Sequence, residues 1–80
     1  MNRSIKTVIQ VEEKRFSRPE TAAKALAAGL ANDLAGPEWP EDDCGQTEFD
    51  AFIDAREVKT ERIEARAYPR YLKVCKHLLK

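Results

Sequence analysis

The N-terminal end of the chain alternates apolar and polar residues, which is the pattern of a β-strand. Between residues 4 and 12, four side chains fall on one face at intervals of two: Ile5, Thr7, Ile9 and Val11. Because all four are β-branched and favour extended backbone, the pattern predicts a strand. The polar residues 12–14 are expected to turn the chain, so that Arg15 and Phe16 form a return strand. Residues 1–16 are thus predicted to be one strand or a short hairpin.

Residues 18–35 have the pattern of an amphipathic helix. Leucines recur at intervals of four, and alanines widen the same apolar stripe: Leu26, Leu30, Leu34, Ala23, Ala27 and Ala31. Such a stripe normally faces the core of a small domain, so we expect the leucines to be buried. Ser17 is placed to cap the first turn, and Glu20 would complete a capping box. Gly36 followed by Pro37 is expected to end the helix.

An acidic loop is predicted at residues 36–46. This stretch holds two prolines, two glycines and four acidic residues, a composition that opposes regular secondary structure. Trp39 is the one large apolar residue within it. A tryptophan in such a loop either packs back over the core as a lid or stays exposed as an anchor for a partner.

The last part of the chain is predicted to be helical. One helix is expected at residues 47–67, and Pro69 is expected to end or kink it, because the residue before a proline resists helical backbone. An amphipathic helix then follows at residues 69–80. A competing interpretation makes residues 59–67 a strand that pairs with residues 4–12. Ala, Glu and Arg are abundant there and favour helix, so the helical interpretation is preferred.

These elements predict a single small domain of the α+β class that is mostly helical. One N-terminal strand or short hairpin would precede two or three amphipathic helices. Leu, Ile, Val and Phe account for 17 of the 80 residues, which is near the lower limit for a packed core. Oligomers commonly relieve such a limit, and a strand at residues 4–12 would offer unpaired edges, so we expect a homodimer.

Charged residues are segregated along the chain, although the net charge is zero. Residues 1–19 hold five basic and two acidic groups. Residues 20–55 hold one basic and nine acidic groups, and residues 56–80 hold eight basic and three acidic groups. Either the acidic middle folds back against the basic ends, or the protein presents two surfaces of opposite sign. Surfaces of opposite sign would each steer a different partner.

Basic residues recur every three or four positions in the last segment, which places them along one side of a helix: Arg56, Lys59, Arg62, Arg66, Arg70, Lys73, Lys76 and Lys80. Like charges so spaced repel one another slightly, so helix stability does not explain the row. The row either neutralises the acidic middle or binds a polyanion such as nucleic acid. The candidates for phosphate contacts are Arg62, Arg66, Arg70, Lys73 and Lys76.

No catalytic motif occurs in the sequence, neither a phosphate-binding glycine loop nor a nucleophile elbow nor a zinc-protease helix. His77 is the single histidine, and Cys44 and Cys75 are the two cysteines, a set that favours neither a zinc site nor a disulfide framework. We expect Cys75 in the core and Cys44 in the loop. The chain is therefore predicted not to be an enzyme, with no cofactor, no metal and no small-molecule substrate.

The sequence holds no apolar run long enough for a membrane span and begins without the hydrophobic segment of a signal peptide. We therefore expect a cytoplasmic protein with no membrane partner. The size and the missing catalytic motifs are in keeping with a small bacterial or phage accessory protein.

Two functions are consistent with these observations. The first is a small regulatory or inhibitory protein that docks on a macromolecular protein partner. Its contact residues would lie in the acidic segment: Trp39, Glu41, Asp42, Asp43, Glu48 and Asp50. The alternative is a nucleic-acid-binding regulator that uses the basic helical row of residues 56–80.

Overall fold

The fold is a short β-hairpin followed by two helices. The computed structural model describes residues 7–41 and 43–79. Its elements in chain order are β1 (Ile9–Val11), β2 (Lys14–Phe16), α1 (Pro19–Ala35) and α2 (Gln46–Leu78). The predicted mostly helical fold with an N-terminal hairpin is confirmed, and the number of helices is two.

β1 and β2 form a two-stranded antiparallel sheet in the register Ile9–Phe16, Gln10–Arg15 and Val11–Lys14. The predicted return strand is therefore present. Glu12 and Glu13 make the turn, and Glu12 has a φ of 56°, a backbone region that favours glycine. Of the strand predicted from residue 4 onward, residues 4–6 lie outside the described residues, and regular pairing begins at Ile9.

α1 begins later than a Ser17 cap would require. The N-cap is Arg18, whose extended backbone (φ −106°, ψ 134°) fits the restriction that a following proline imposes. Pro19 takes the first helical position, where its missing N–H costs nothing. The capping box predicted for Ser17 and Glu20 is therefore wrong, because Ser17 is not the N-cap. The side chain of the actual N-cap, Arg18, makes no capping hydrogen bond. Thr21 Oγ1 instead donates a hydrogen bond to the Arg18 carbonyl at 3.1 Å.

Small side chains, and not the leucines, form the buried seam between the helices. The seam residues are Ala22, Ala23, Ala27 and Ala31 of α1 with Ala67 and Cys75 of α2. Leu26 and Leu30 are half-buried and Leu34 is 58% exposed, so the leucine stripe is not the buried core that its spacing predicted. Alanines let two helix axes approach closely, and the longer leucines then lie at the margins of the contact.

α2 is a single helix of 33 residues that contains Pro69. The predicted division into helices at residues 47–67 and 69–80 is therefore wrong. Pro69 cannot donate a hydrogen bond to the carbonyl of Ala65, but both residues are exposed, so water can bind that carbonyl. The alternative strand at residues 59–67 is also wrong, because the whole segment is helical.

The hairpin packs where α1 begins and α2 ends. Ala22 and Ala23 of α1 lie with Cys75 of α2 at the centre of the core, so the two helices are antiparallel. Partly buried apolar residues surround this centre: Ile9, Phe16, Leu26, Tyr68, Tyr71 and Leu72. The prediction that Cys75 is a core residue is confirmed, and burial raises the pKa of its thiol.

The molecule is long and thin, with extents of 63 × 23 × 13 Å. α2 alone is about 50 Å long at the usual rise per residue. The smallest extent is close to the diameter of one helix, roughly 10–12 Å, so α1 and α2 form a single layer. The radius of gyration is 16.9 Å, whereas a compact chain of this length has about 12 Å.

Candidate functional site

Trp39 projects from the loop between the helices with 62% of its surface exposed. Its ring stacks on the ring of Phe49 near the start of α2, with centroids 5.8 Å apart and 17° between the planes. The sequence left open whether this tryptophan is a lid or an anchor. The structure shows an exposed aromatic surface that a second ring holds in position.

Two shallow depressions flank Trp39. Glu41 and Asp43 line one of them together with Phe49. Glu38 lines the other, together with Ile53, Arg56, Glu57 and Thr60 of α2. The structure therefore brings the ring of Trp39 together with three carboxylates of the loop, and an apolar centre with an acidic rim results.

The remaining acidic candidates lie apart from this rim. Glu48 and Asp50 are exposed on the first turns of α2, and neither lines the depressions beside Trp39. The Glu48 carboxylate lies against Gly45, the N-cap of the helix, where the helix dipole favours negative charge. Asp50 Oδ1 accepts a hydrogen bond from Gln46 Nε2 at 2.9 Å. Asp42 lies outside the described residues.

Arg56 binds the end of α1. Its Nη2 donates to the Asn32 Oδ1 at 2.7 Å, the Asn32 carbonyl at 3.2 Å and the Gly36 carbonyl at 3.0 Å, and its Nε donates to the Pro37 carbonyl at 3.0 Å. The last carbonyls of a helix lack intrahelical partners and carry partial negative charge, so a guanidinium is well suited to this position.

This position removes Arg56 from the basic row that the sequence predicted to face a polyanion. Sequence spacing does not predict this role, because the contact joins residues 24 positions apart. One signal was present, since α1 has no basic residue in its own last turn to bind the free carbonyls.

The basic candidates form an uninterrupted exposed row on α2. The row comprises Arg62, Arg66, Arg70, Lys73 and Lys76, and all five are exposed. It extends over about 21 Å of one helix. The described residues of the acidic loop lie along α2 from Phe49 to Thr60, before the row begins at Arg62. The acidic loop thus lies along the first half of α2, and the basic row occupies its second half.

The two faces of the helix layer differ in chemistry. One groove along the seam is lined by Lys24, Ala27, Glu61, Glu64, Ala65 and Tyr68, and we call it the charged groove. The groove on the other side is lined mainly by Leu30, Leu34, Ile63, Ala67, Tyr71 and Val74, and we call it the apolar groove. Arg66 and Arg70 complete the lining of the apolar groove.

Within residues 7–41 and 43–79, no group of three or more His, Cys, Asp or Glu side chains is placed to hold a metal ion. Cys44 and His77 are both exposed, at opposite ends of α2. Neither α1 nor α2 is long and apolar enough to cross a membrane.

Comparison with known proteins returned no relatives. The chain matches no protein-family model, and it has no significant similarity to a curated protein or to a solved structure.

Proposed function

We propose that this chain is a non-enzymatic regulatory or inhibitory protein that docks on a protein partner through Trp39 and the carboxylates beside it. One observation carries the proposal: Trp39 is 62% exposed and yet is held by its stack on Phe49. Tryptophan is among the residues enriched at the dominant contacts of protein interfaces. A ring that is already positioned loses little conformational freedom when a partner covers it.

The surroundings of Trp39 indicate the chemistry of the partner. Glu38, Glu41 and Asp43 form an acidic rim around the ring. The complementary surface is an apolar pocket that accepts an indole ring and is bordered by Lys or Arg side chains. Charges at such a rim accelerate association and select the partner, while the buried ring supplies most of the affinity.

The test is affinity capture from cell extract treated with nuclease, followed by titration of the purified captured protein. Trp39 is the single tryptophan of the chain, so the fluorescence change on covering its ring can be followed directly when the partner's own signal is subtracted. We expect Trp39→Ala to weaken binding by about 2 kcal/mol or more. We expect Glu41→Lys with Asp43→Lys to slow association.

The matched control is Val58→Ala, which changes an apolar side chain that is 52% exposed outside both depressions beside Trp39. This variant should bind like the unchanged protein. A partner whose affinity is the same for Trp39→Ala and for Val58→Ala would rule out the proposed docking surface.

A second candidate function is nucleic-acid binding through the basic row. The observation in its favour is that Arg62, Arg66, Arg70, Lys73 and Lys76 are all exposed along one uninterrupted helix. Each phosphate contact releases a counterion, so affinity for duplex DNA would fall steeply with salt. The neutral net charge and the acidic end of the molecule make this the weaker candidate.

The second candidate is tested by the affinity for a duplex of about 20 base pairs over a series of salt concentrations. Arg66→Glu with Arg70→Glu should lower the salt slope by about two units. Lys14→Glu with Arg15→Glu makes the same charge change on the hairpin and serves as the control. Equal weakening by both pairs would mean that overall charge, and not this row, governs binding.

A further inference from the structure

The apolar groove is an unpartnered face of the helix layer. Leu34 on one wall is 58% exposed and Val74 on the other is 53% exposed. Leu78, one turn beyond Val74, is also 53% exposed. The charged groove on the opposite side is lined by Lys24, Glu61 and Glu64 and is suited to water. Leu34, Val74 and Leu78 thus leave apolar surface uncovered along this side of the layer.

The layer alone is too thin to bury large side chains. Domains generally consist of two packed layers, with the apolar sides facing each other. Here Cys75 is the largest side chain that is fully buried in the described part of the chain. The accessible surface is 6551 Å², whereas a compact monomer of this mass exposes about 4,900 Å².

We infer that the apolar groove binds a second copy of this chain, so that two helix layers pack face to face in a symmetric dimer. A stable interface covers about 800 Å² on each partner, and the excess surface of the single chain is larger than that. Two layers 13 Å thick would give a body about as thick as the 23 Å width of one layer. That cross-section is typical of a four-helix bundle. This interface lies on the helices, and not on the strand edge at residues 4–12 for which the sequence predicts pairing between chains.

The charges at the groove determine how the dimer responds to salt. Arg66 and Arg70 line the groove, and no acidic residue is among the described residues that line it. In a symmetric dimer the same surface meets itself, so the basic residues of both copies approach one another at the rim. Salt screens this repulsion, so association should become tighter at high ionic strength.

Sedimentation equilibrium of the full chain tests this inference with one substitution at two positions. Val74→Lys adds a further positive charge to the groove, and Val58→Lys places the same charge on the same helix outside both grooves. Both valines are about half exposed in the single chain, at 53% and 52%, so neither change should disturb the fold. Circular dichroism checks that both variants keep the helical content.

We expect the unchanged chain to dimerise, Val74→Lys to raise the dimer dissociation constant at least 100-fold, and Val58→Lys to change it less than threefold. Raising NaCl from 50 to 500 mM should tighten the dimer of the unchanged chain. A chain that stays at 9.1 kDa at 0.5 mM would overturn the inference. Equal weakening by the two variants would also overturn it, as would a dimer that loosens with salt. A dimer that is lost in Val8→Lys, beside the strand edge, but kept in Val74→Lys would overturn it as well. These measurements involve no other protein, so they stand or fall separately from the function proposed for Trp39.

Discussion

Arg56 Nη2 donates a hydrogen bond to Asn32 Oδ1 at 2.7 Å and thereby joins α2 to the end of α1. The same guanidinium binds three backbone carbonyls in this region. The last turn of α1 has no basic residue of its own, so this contact from α2 supplies the positive group that a helix C-terminus favours. The start of the acidic loop is fixed by the same contact.

Arg56→Met should lower the free energy of unfolding by about 1–2 kcal/mol, because the backbone carbonyls at the end of α1 lose a charged donor. The loss stays moderate because Arg56 is half-buried and water can replace part of the contact. Urea denaturation followed by circular dichroism measures the change. Arg62→Met removes the same charge from an exposed position of α2 and should stay within about 0.5 kcal/mol. Equal losses in the two variants would contradict the capping role.

Ala27→Leu should destabilise the protein by about 1–3 kcal/mol, because Ala27 is 1% exposed in the seam and a larger side chain would push the helices apart. Ala28→Leu is the control, since Ala28 is the exposed neighbour on the same helix and leucine is also a good helix former. Thermal unfolding of the two variants gives the comparison. If Ala27→Leu were as stable as Ala28→Leu, the close alanine seam would not exist.

Two glycines should respond to alanine in opposite directions. Gly29 lies inside α1 with open space where a Cβ would be, so Gly29→Ala should stabilise the protein by up to about 1 kcal/mol. Gly36 follows α1 with a φ of 88°, which strains any other residue, so Gly36→Ala should destabilise it by about 1 kcal/mol. Melting temperatures that shift in the same direction would contradict this assignment.

Glu12→Gly should stabilise the hairpin, because Glu12 has a φ of 56° in the turn between β1 and β2. A residue with a side chain loses about 1 kcal/mol in that conformation, although glycine also gains entropy in the unfolded chain. We expect a net gain of a few tenths of a kcal/mol in urea denaturation. Glu13→Gly tests the neighbouring turn position, which has no positive φ, and should be neutral or destabilising.

The two thiols should differ in reactivity. Cys44 is exposed and should react with a disulfide reagent in the folded protein, whereas Cys75 is buried and should react on unfolding. Burial raises the pKa of the Cys75 thiol above that of the unfolded chain. The stability of the neutral thiol is therefore complete below the unfolded pKa and is lost as the pH rises through the folded pKa. Rapid modification of Cys75 in a Cys44→Ser variant at neutral pH would contradict its burial.

Elements with local signals could be predicted from the sequence. The turn at Glu12 and Glu13 and the helix end at Gly36 depend on neighbouring residues, and the structure has both. The helix over residues 59–67 follows from composition, because alanine, glutamate and arginine are abundant in this stretch and favour helix.

Features that depend on distant residues could not be predicted. The leucine spacing indicates a buried stripe on an isolated helix, but the second helix packs on the alanines beside Leu30 and Leu34. Pro69 is compatible with a continuous helix because it faces solvent, which sequence spacing does not show. Of the candidate site residues, Glu41 and Asp43 lie with Trp39, whereas Glu48 and Asp50 lie at the helix start.

Because α2 is one continuous helix, it fixes the distance between the two surfaces that it carries. Phe49, which supports Trp39, and Lys76, at the end of the basic row, belong to one helix and are separated by about 40 Å along its axis. A helix that is uninterrupted over this length transmits the orientation imposed at one end to the other. Two bodies bound at the two ends of this helix would therefore be kept at a fixed spacing and in a fixed relative direction.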